Sequence, residues 1–246
     1  MLPGLDVSYA QGANLPWAAI YQHGERFAIC RSSCGLNTVD KTFLPNVNGA
    51  REAGLLTGSY HFFLANQDPI EQARKYYSLA YEFTDLWPVI DIEASGFKGV
   101  SPAETLANAE AFVAESRRLW CQQVFVYVNY SDWTALGNPT DSTLTECPLW
   151  VANYGVSKPL MPPPWRERGW TLWQWDGDKG QRLPDGRDSD FIWFAGETVE
   201  ELRQYTGVTC NVEPPPHPVI DSWSTVRGVV AEIEAQRAQR LRNQTD

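Results

Sequence analysis

The sequence has no apolar run approaching the roughly 18 residues that a membrane-spanning helix needs, so no span is expected. It has no G-x-G-x-x-G and no G-x-x-x-x-G-K-[ST], which argues against a nucleotide cradle. Positive charge is in deficit. Twenty Lys and Arg face thirty Asp and Glu, for a net charge of −10. Such a chain repels polyanions and anionic lipid, so no nucleic-acid or membrane partner is expected. The first basic residue is Arg26, and Met1–Gly12 holds no long apolar core, so no signal peptide is expected. Cysteine is sparse and odd in number: Cys30, Cys34, Cys121, Cys147 and Cys210. No second Cys or His pair follows Cys30 and Cys34 at zinc spacing. The expectation is therefore reduced structural thiols, no metal and no organic cofactor. No internal repeat is visible.

What is present is a globular composition, with 43% hydrophobic and 20% charged residues. A length of 246 residues suits one α/β barrel with a tail. Eleven Trp, ten Tyr and ten Phe exceed ordinary core needs. Aromatic faces stack on sugar rings, although barrel filling accounts for most of them. Short apolar runs at Leu5–Val7, Phe27–Arg31, Gly58–Phe63, Pro88–Glu93, Val124–Asn129, Leu149–Ala152, Thr171–Gln174 and Asp190–Phe194 read as strands. Runs such as Val124–Asn129 barely alternate, as expected of parallel strands buried on both faces.

Between the early strands lie helices with clear starts. Asp68-Pro-Ile-Glu71 and Ser101-Pro-Ala-Glu104 each place a cap, a first-turn Pro and a later carboxylate, predicting helices to about Phe83 and Trp120. Past Tyr130 the long helices stop. The pattern predicts a modified TIM-like α/β barrel over residues 1–210. A Pro-rich linker follows at 211–221, carrying Glu213-Pro-Pro-Pro-His-Pro218. The stretch 222–246 reads as a C-terminal helix. Val226, Val229, Val230, Ile233 and Leu241 give it a partial apolar stripe that either folds back or docks a partner.

The chemistry centres on acids. Asp91 and Glu93 close the Trp87–Glu93 strand at i and i+2, which puts both carboxylates on one face. In a barrel, that strand end is the active-site mouth. Paired carboxylates there suit glycoside hydrolysis, and mutual repulsion with burial keeps one of them protonated. Asp6 lies inside the first apolar run, and Asp188 and Asp190 lie at the start of the last. If the barrel closes first strand on last, these acids face Asp91 and Glu93 across one mouth.

At this point the sequence resembles a known family, the glycoside hydrolase family 25 muramidases, or Chalaropsis-type lysozymes. Gly4-Leu-Asp-Val-Ser-Tyr-Ala-Gln-Gly12 is similar to the family's opening G-x-D-V-S-x-x-Q-G. Phe27–Ser33, Gly58-Ser-Tyr-His-Phe-Phe63, Pro88-Val-Ile-Asp-Ile-Glu93, Leu149-Trp-Val-Ala-Asn-Tyr154 and Leu172-Trp-Gln-Trp175 resemble its later strands, in order. The likeness covers about residues 3–196. It implies five β/α units followed by three further strands. It also implies hydrolysis of the β-1,4 bond between N-acetylmuramic acid and N-acetylglucosamine in peptidoglycan. Glu93 would be the general acid. Asp91 would be either a nucleophile or the group that orients the substrate's own N-acetyl oxygen. Asp6 and a last-strand acid would hold water and the acetamido group. The family register selects Asp190 for that last position, with Asp188 as the alternative.

The resemblance also points to Tyr60 and His61 as sugar-binding, against a structural role for His61. Tyr127 and Asn129 leave their strand toward the same mouth. Trp150, Trp173 and Trp175 are sugar platforms or core. Bacterial peptidoglycan is the expected partner, with a virion or self-association partner for the C-terminal helix. The setting implied is a phage lysin released by a holin, or a lysozyme carried on the virion. The rival readings are a catalytically silent wall-binding or structural module and a hydrolase of another N-acetylated glycan such as chitin.

Overall fold

The computed structural model describes residues 1–177 and 180–207. Nine strands form one sheet: β1 (Leu2–Val7), β2 (Phe27–Cys34), β3 (Thr38–Val39), β4 (Leu56–Phe62), β5 (Val89–Asp91), β6 (Phe125–Asn129), β7 (Leu149–Ala152), β8 (Leu172–Asp176) and β9 (Asp190–Phe194). Their order is β1-β9-β8-β7-β6-β5-β4-β2-β3, and β1 also pairs with β2. That extra pairing closes eight strands into a barrel and leaves β3 as a short antiparallel flap on β2. Strands β1, β2 and β4 through β8 run parallel in sequence, whereas β9 is antiparallel to both β8 and β1. All eight expected strands are present, with ends shifted by up to three residues.

The near-continuous apolar strands arise because both faces are covered. On β6, Phe125 and Tyr127 join the packing inside the barrel, with Phe27, Leu56, Trp150, Leu172 and Phe194. Val126 and Val128 belong to the outer layer, with Leu5, Ile90, Val151 and the helices. Gly4 is dictated by this filling: a Cβ there would sit 2.5 Å from the Phe27 ring.

The long helices begin where their caps predict. In α3 (Pro69–Ala80) the Asp68 carboxylate accepts from the amides of Ile70 and Glu71. In α4 (Pro102–Trp120) the Ser101 hydroxyl accepts from the Glu104 amide. Glu71 does not complete a capping box and instead pairs with Arg74 at 2.7 Å. Four shorter helices lie outside the expected set: α1 (Trp17–His23), α2 (Phe43–Glu52), α5 (Tyr130–Ala135) and α6 (Val199–Tyr205), the last starting on a capping box between Thr198 and Glu201. Two of them, α1 and α2, have no side-chain cap hydrogen bond, so packing rather than capping defines their starts.

Cys30, Cys34 and Cys147 are free thiols, but Cys121 is disulfide-bonded, which corrects the expectation of uniformly reduced cysteines. The expected linker at 211–221 and helix at 222–246 lie outside the described residues. Among the described residues, no helix is long and apolar enough to cross a membrane.

Candidate active site

Barrel closure brings the sequence-distant acids to one mouth. Asp6 on β1 and Asp190 on β9 are direct cross-strand partners. Asp91 ends β5, in register with Tyr127 of β6. Glu93 follows with extended backbone (φ −123°, ψ 149°), so the alternation that sets Asp91 inward carries on to it. A 3-10 turn over Ala94–Gly96 then ends the segment. All four carboxylates line one cavity of about 200 Å³. Tyr60, Tyr127, Trp150 and Tyr154 supply its aromatic wall, and Gln174 of β8 completes it. The rings pack edge-on: Trp150 stands at 88° to Tyr60 and 76° to Tyr127.

Gln174 is the polar hub. Its amide nitrogen donates to Asp6 Oδ2 at 2.7 Å. Its amide oxygen accepts from the Tyr127 hydroxyl at 2.8 Å and the Tyr154 hydroxyl at 2.6 Å. Asp91 is buried, and its Oδ1 has no hydrogen-bond partner among the described residues. The indole nitrogen of Trp150 is likewise unpartnered. Donor and acceptor capacity is thus stored in the cavity wall, where a polar ligand would satisfy it.

The acids hold their protons unusually tightly. Burial raises Asp6 well above the ordinary carboxylate range, Asp190 and Glu93 raise it further, and the Gln174 bond opposes them. Burial also raises Asp91, assisted by Glu93 and Asp6 and opposed by Arg31. Burial raises Glu93, which is half-buried, and the Ser95 hydroxyl opposes by donating to Oε2 at 3.2 Å. Arg31 is itself anchored to Asp40 at 2.9 Å and lies over the Tyr9 ring. Among the described residues, no group of three or more His, Cys, Asp or Glu is arranged to hold a metal ion.

Of the residues singled out from sequence, Asp6, Asp91, Glu93, Asp190, Tyr60, Tyr127 and Trp150 meet at this cavity. Three do not. His61 is fully buried on the opposite face of β4. Its ring nitrogens bond Ser33 Oγ at 2.8 Å and Gln72 Oε1 at 3.1 Å, and its ring stacks on Phe112 and Tyr76. One-residue alternation explains this, because Tyr60 faces in and so His61 faces the helices. Burial drives the His61 pKa down to about 3, so the ring stays neutral. Asn129 caps α5, accepting from the Asp132 amide at 2.8 Å. Trp173 packs in the outer layer, its indole donating to the Asn153 carbonyl at 2.9 Å, and Trp175 stacks on Trp193 there. Asp188 pairs with Arg182 at 3.2 Å, away from the cavity that Asp190 lines. Sequence reasoning missed Gln174 and Tyr154 as site residues. Gln174 lies two residues after Leu172, inward on β8, so strand alternation could have marked it. Tyr154 lies past the end of β7 and carried no comparable signal.

Comparison with known proteins follows the same lines. The family model described as glycosyl hydrolases family 25 matches residues 5–182. Lysozyme M1 of Streptomyces globisporus is 29% identical over 181 residues, which is 70% of this chain and 60% of that protein. The autolytic lysozyme of Clostridium acetobutylicum is 28% identical over 160 residues, 64% of this chain and 47% of that protein. The chain therefore spans about half to three-fifths of the length of these relatives. The crystal structure of the bacterial lysozyme from Streptomyces coelicolor superposes with a TM-score of 0.74 at 28% identity, covering 85% of this chain and 98% of that one. The ordered motifs and the family match overlap from the first strand through β8, over most of the chain, and the chain belongs to glycosyl hydrolase family 25.

Proposed function

We propose that this chain is a peptidoglycan lysozyme that hydrolyses the β-1,4 bond between N-acetylmuramic acid and N-acetylglucosamine. The observation that carries the reading is the convergence of Asp6, Asp91, Glu93 and Asp190 on one aromatic-walled cavity. Protonated Glu93 gives its proton to the glycosidic oxygen as the bond from that oxygen to the sugar C1 breaks. Its raised pKa supports this role, because an acid that keeps its proton toward neutral pH can donate it. The developing positive charge at C1 is stabilised by the acids that line the mouth. The carboxylate left on Glu93 then takes a proton from the water that attacks C1, which retains the anomeric configuration.

Asp91 is the second carboxylate. Its unpartnered Oδ1 supports a role in accepting the substrate's acetamido N–H, which turns the N-acetyl oxygen toward C1. Asp6 and Asp190 hold water and tune the protonation of the pair. Tyr60, Tyr127 and Trp150 provide the sugar-stacking surface. No step calls on a metal or organic cofactor.

The site of action in this reading is the bacterial cell wall. We further place the chain in a phage setting, as a lysin or a virion-borne lysozyme. The support is the Glu213–Pro218 run and the apolar pattern after it. Removal of residues 213–246 should then leave hydrolysis unchanged and abolish attachment to a virion or to a second copy.

The decisive experiment is reducing-end release from purified peptidoglycan, with products identified by mass spectrometry, for wild type and Glu93→Gln. Products ending in reducing N-acetylmuramic acid, lost in the variant, support the reading. Release by Glu93→Gln at the wild-type rate refutes the acid assignment. Binding to sacculi without products from either protein indicates a silent binding module.

A further inference from the structure

Tyr9 is the most exposed aromatic residue among those described, at 65%, yet it is held firmly in place. Its amide donates to Asp40 Oδ2 at 3.0 Å. The same oxygen accepts from Arg31 Nε at 2.9 Å, and the Arg31 guanidinium carbon lies 4.5 Å from the centre of the Tyr9 ring. Asp40 is buried, and its Oδ1 accepts from the Thr42 amide at 3.0 Å and the Thr42 hydroxyl at 2.7 Å. The seat is therefore fixed from below, Arg31 backs one face of the ring, and the exposure of Tyr9 falls on its other side. Strand register puts this seat on the rim of the catalytic cavity. Arg31 of β2 pairs with Tyr60 of β4, so the two side chains share a side of the sheet, and Tyr60 lines the cavity. Along β2 the inward set runs Phe27, Ile29, Arg31. Asp6 is in register with Ile29, so Arg31 stands two residues, about 7 Å, further toward the mouth than Asp6.

We propose that Tyr9, seated on Arg31 and Asp40, stacks a further sugar ring of the glycan strand beyond the cavity, and so sets a preference for longer strands. The inference rests on the reading of the cavity as a glycan-cleaving site. That cavity, about 200 Å³, is smaller than the roughly 300–1,000 Å³ of a typical small-molecule site, so a polymer threaded through it continues over the rim. An aromatic face open to solvent beside the cavity suits the apolar face of a pyranose. A ring already fixed from behind loses little freedom when it binds, which favours stacking there over stacking on a free side chain. Tyr21 supplies the contrast. It is also exposed, with Arg26 4.4 Å from its ring centre, but Arg26 precedes β2 and so lies at the end of the barrel away from the cavity.

The test uses peptide-free glycan strands prepared from peptidoglycan and sorted by length. The readout is kcat/KM on long strands divided by kcat/KM on the shortest strand cleaved. Tyr9→Ala lowers that ratio by about two- to tenfold, the scale of one aromatic contact. Tyr9→Phe and Tyr9→Trp keep an aromatic face and keep the ratio, while Tyr21→Ala leaves it at the wild-type value. A ratio left in place by Tyr9→Ala overturns the inference, as does an equal fall in Tyr21→Ala. A fall seen only on strands that still carry their stem peptides also overturns it, because the occupant is then peptide and not sugar. Calorimetric titration of long peptide-free strands into Glu93→Gln, with and without Tyr9→Ala, needs no turnover and separates the two ideas. Absence of products from wild type removes the hydrolase reading, and Tyr9 is then judged on this binding alone. Equal affinity with and without the Tyr9 ring, in a protein whose wild-type form cleaves, refutes the Tyr9 platform and leaves the lysozyme reading standing.

Discussion

Removing Gln174 tests the hub on which the cavity depends. The side chain is 3% exposed and makes three hydrogen bonds, one of them to a carboxylate. Gln174→Ala strips Asp6 of its donor and leaves two phenols without an acceptor. A bond to a charged group is worth about 1.5–3 kcal/mol and a neutral one about 0.5–1.5 kcal/mol. Water entering from the open cavity mouth replaces part of this, so the expected loss is about 2–4 kcal/mol in urea unfolding. Gln174→Glu is the sharper variant. It keeps an acceptor for both tyrosines, removes the donor to Asp6 and adds a carboxylate to a mouth that already holds four. Its penalty should grow with pH as that carboxylate ionises, while Gln174→Ala shows a weaker dependence. Activity should fall in both variants, because the Gln174 bond is what opposes further protonation of Asp6. A Gln174→Ala protein within about 0.5 kcal/mol of wild type, the range of an ordinary surface change, would refute the hub.

Three further outcomes follow from the same geometry. Asp6 and Asp91 titrate above their ordinary 3.8, and Glu93 above 4.5, so the folded state binds these protons more tightly than the unfolded one. Their contribution to stability is full below those values and is lost as pH rises through the raised ones. Asp91→Asn should therefore raise Tm near about pH 7 and give little gain near about pH 4, and a pH-independent gain would contradict the cause given. His61→Ala removes a ring stacked between α3 and α4 together with two buried hydrogen bonds. It should cost about 2–4 kcal/mol by thermal or urea unfolding with KM unchanged, whereas a selective rise in KM would return His61 to the sugar site. Gly4→Ala drives a methyl into Phe27 and should cost about 1–3 kcal/mol, partly relieved in the double variant with Phe27→Leu; additive losses would mean the two do not share that space.

Much of this protein is legible along the chain. Unbroken apolar runs such as Val124–Asn129 mark strands covered on both faces, and Asp68-Pro and Ser101-Pro mark helix starts, because these signals are local. Asp91 and Glu93 could be paired from spacing alone, since strand alternation guarantees a shared face. The family likeness likewise rests on short motifs that the sequence displays directly. Helices α1 and α2 lack cap signals and take their starts from tertiary packing, so they were not legible. The same local rule that pairs Asp91 with Glu93 also separates Tyr60 from His61, and only burial against Phe112 and Tyr76 shows which of the two faces the helices. Asn129 and Trp173 look like site residues by position in the sequence, yet one spends its amide on a helix start and the other its indole on a loop carbonyl. Sequence determined the strands, the acid pair and the family. Tertiary structure alone decided which acids and aromatics share a cavity. Those relations depend on barrel closure, which joins β1 to β9 and sets Asp6 against Asp190 across nearly the whole described chain.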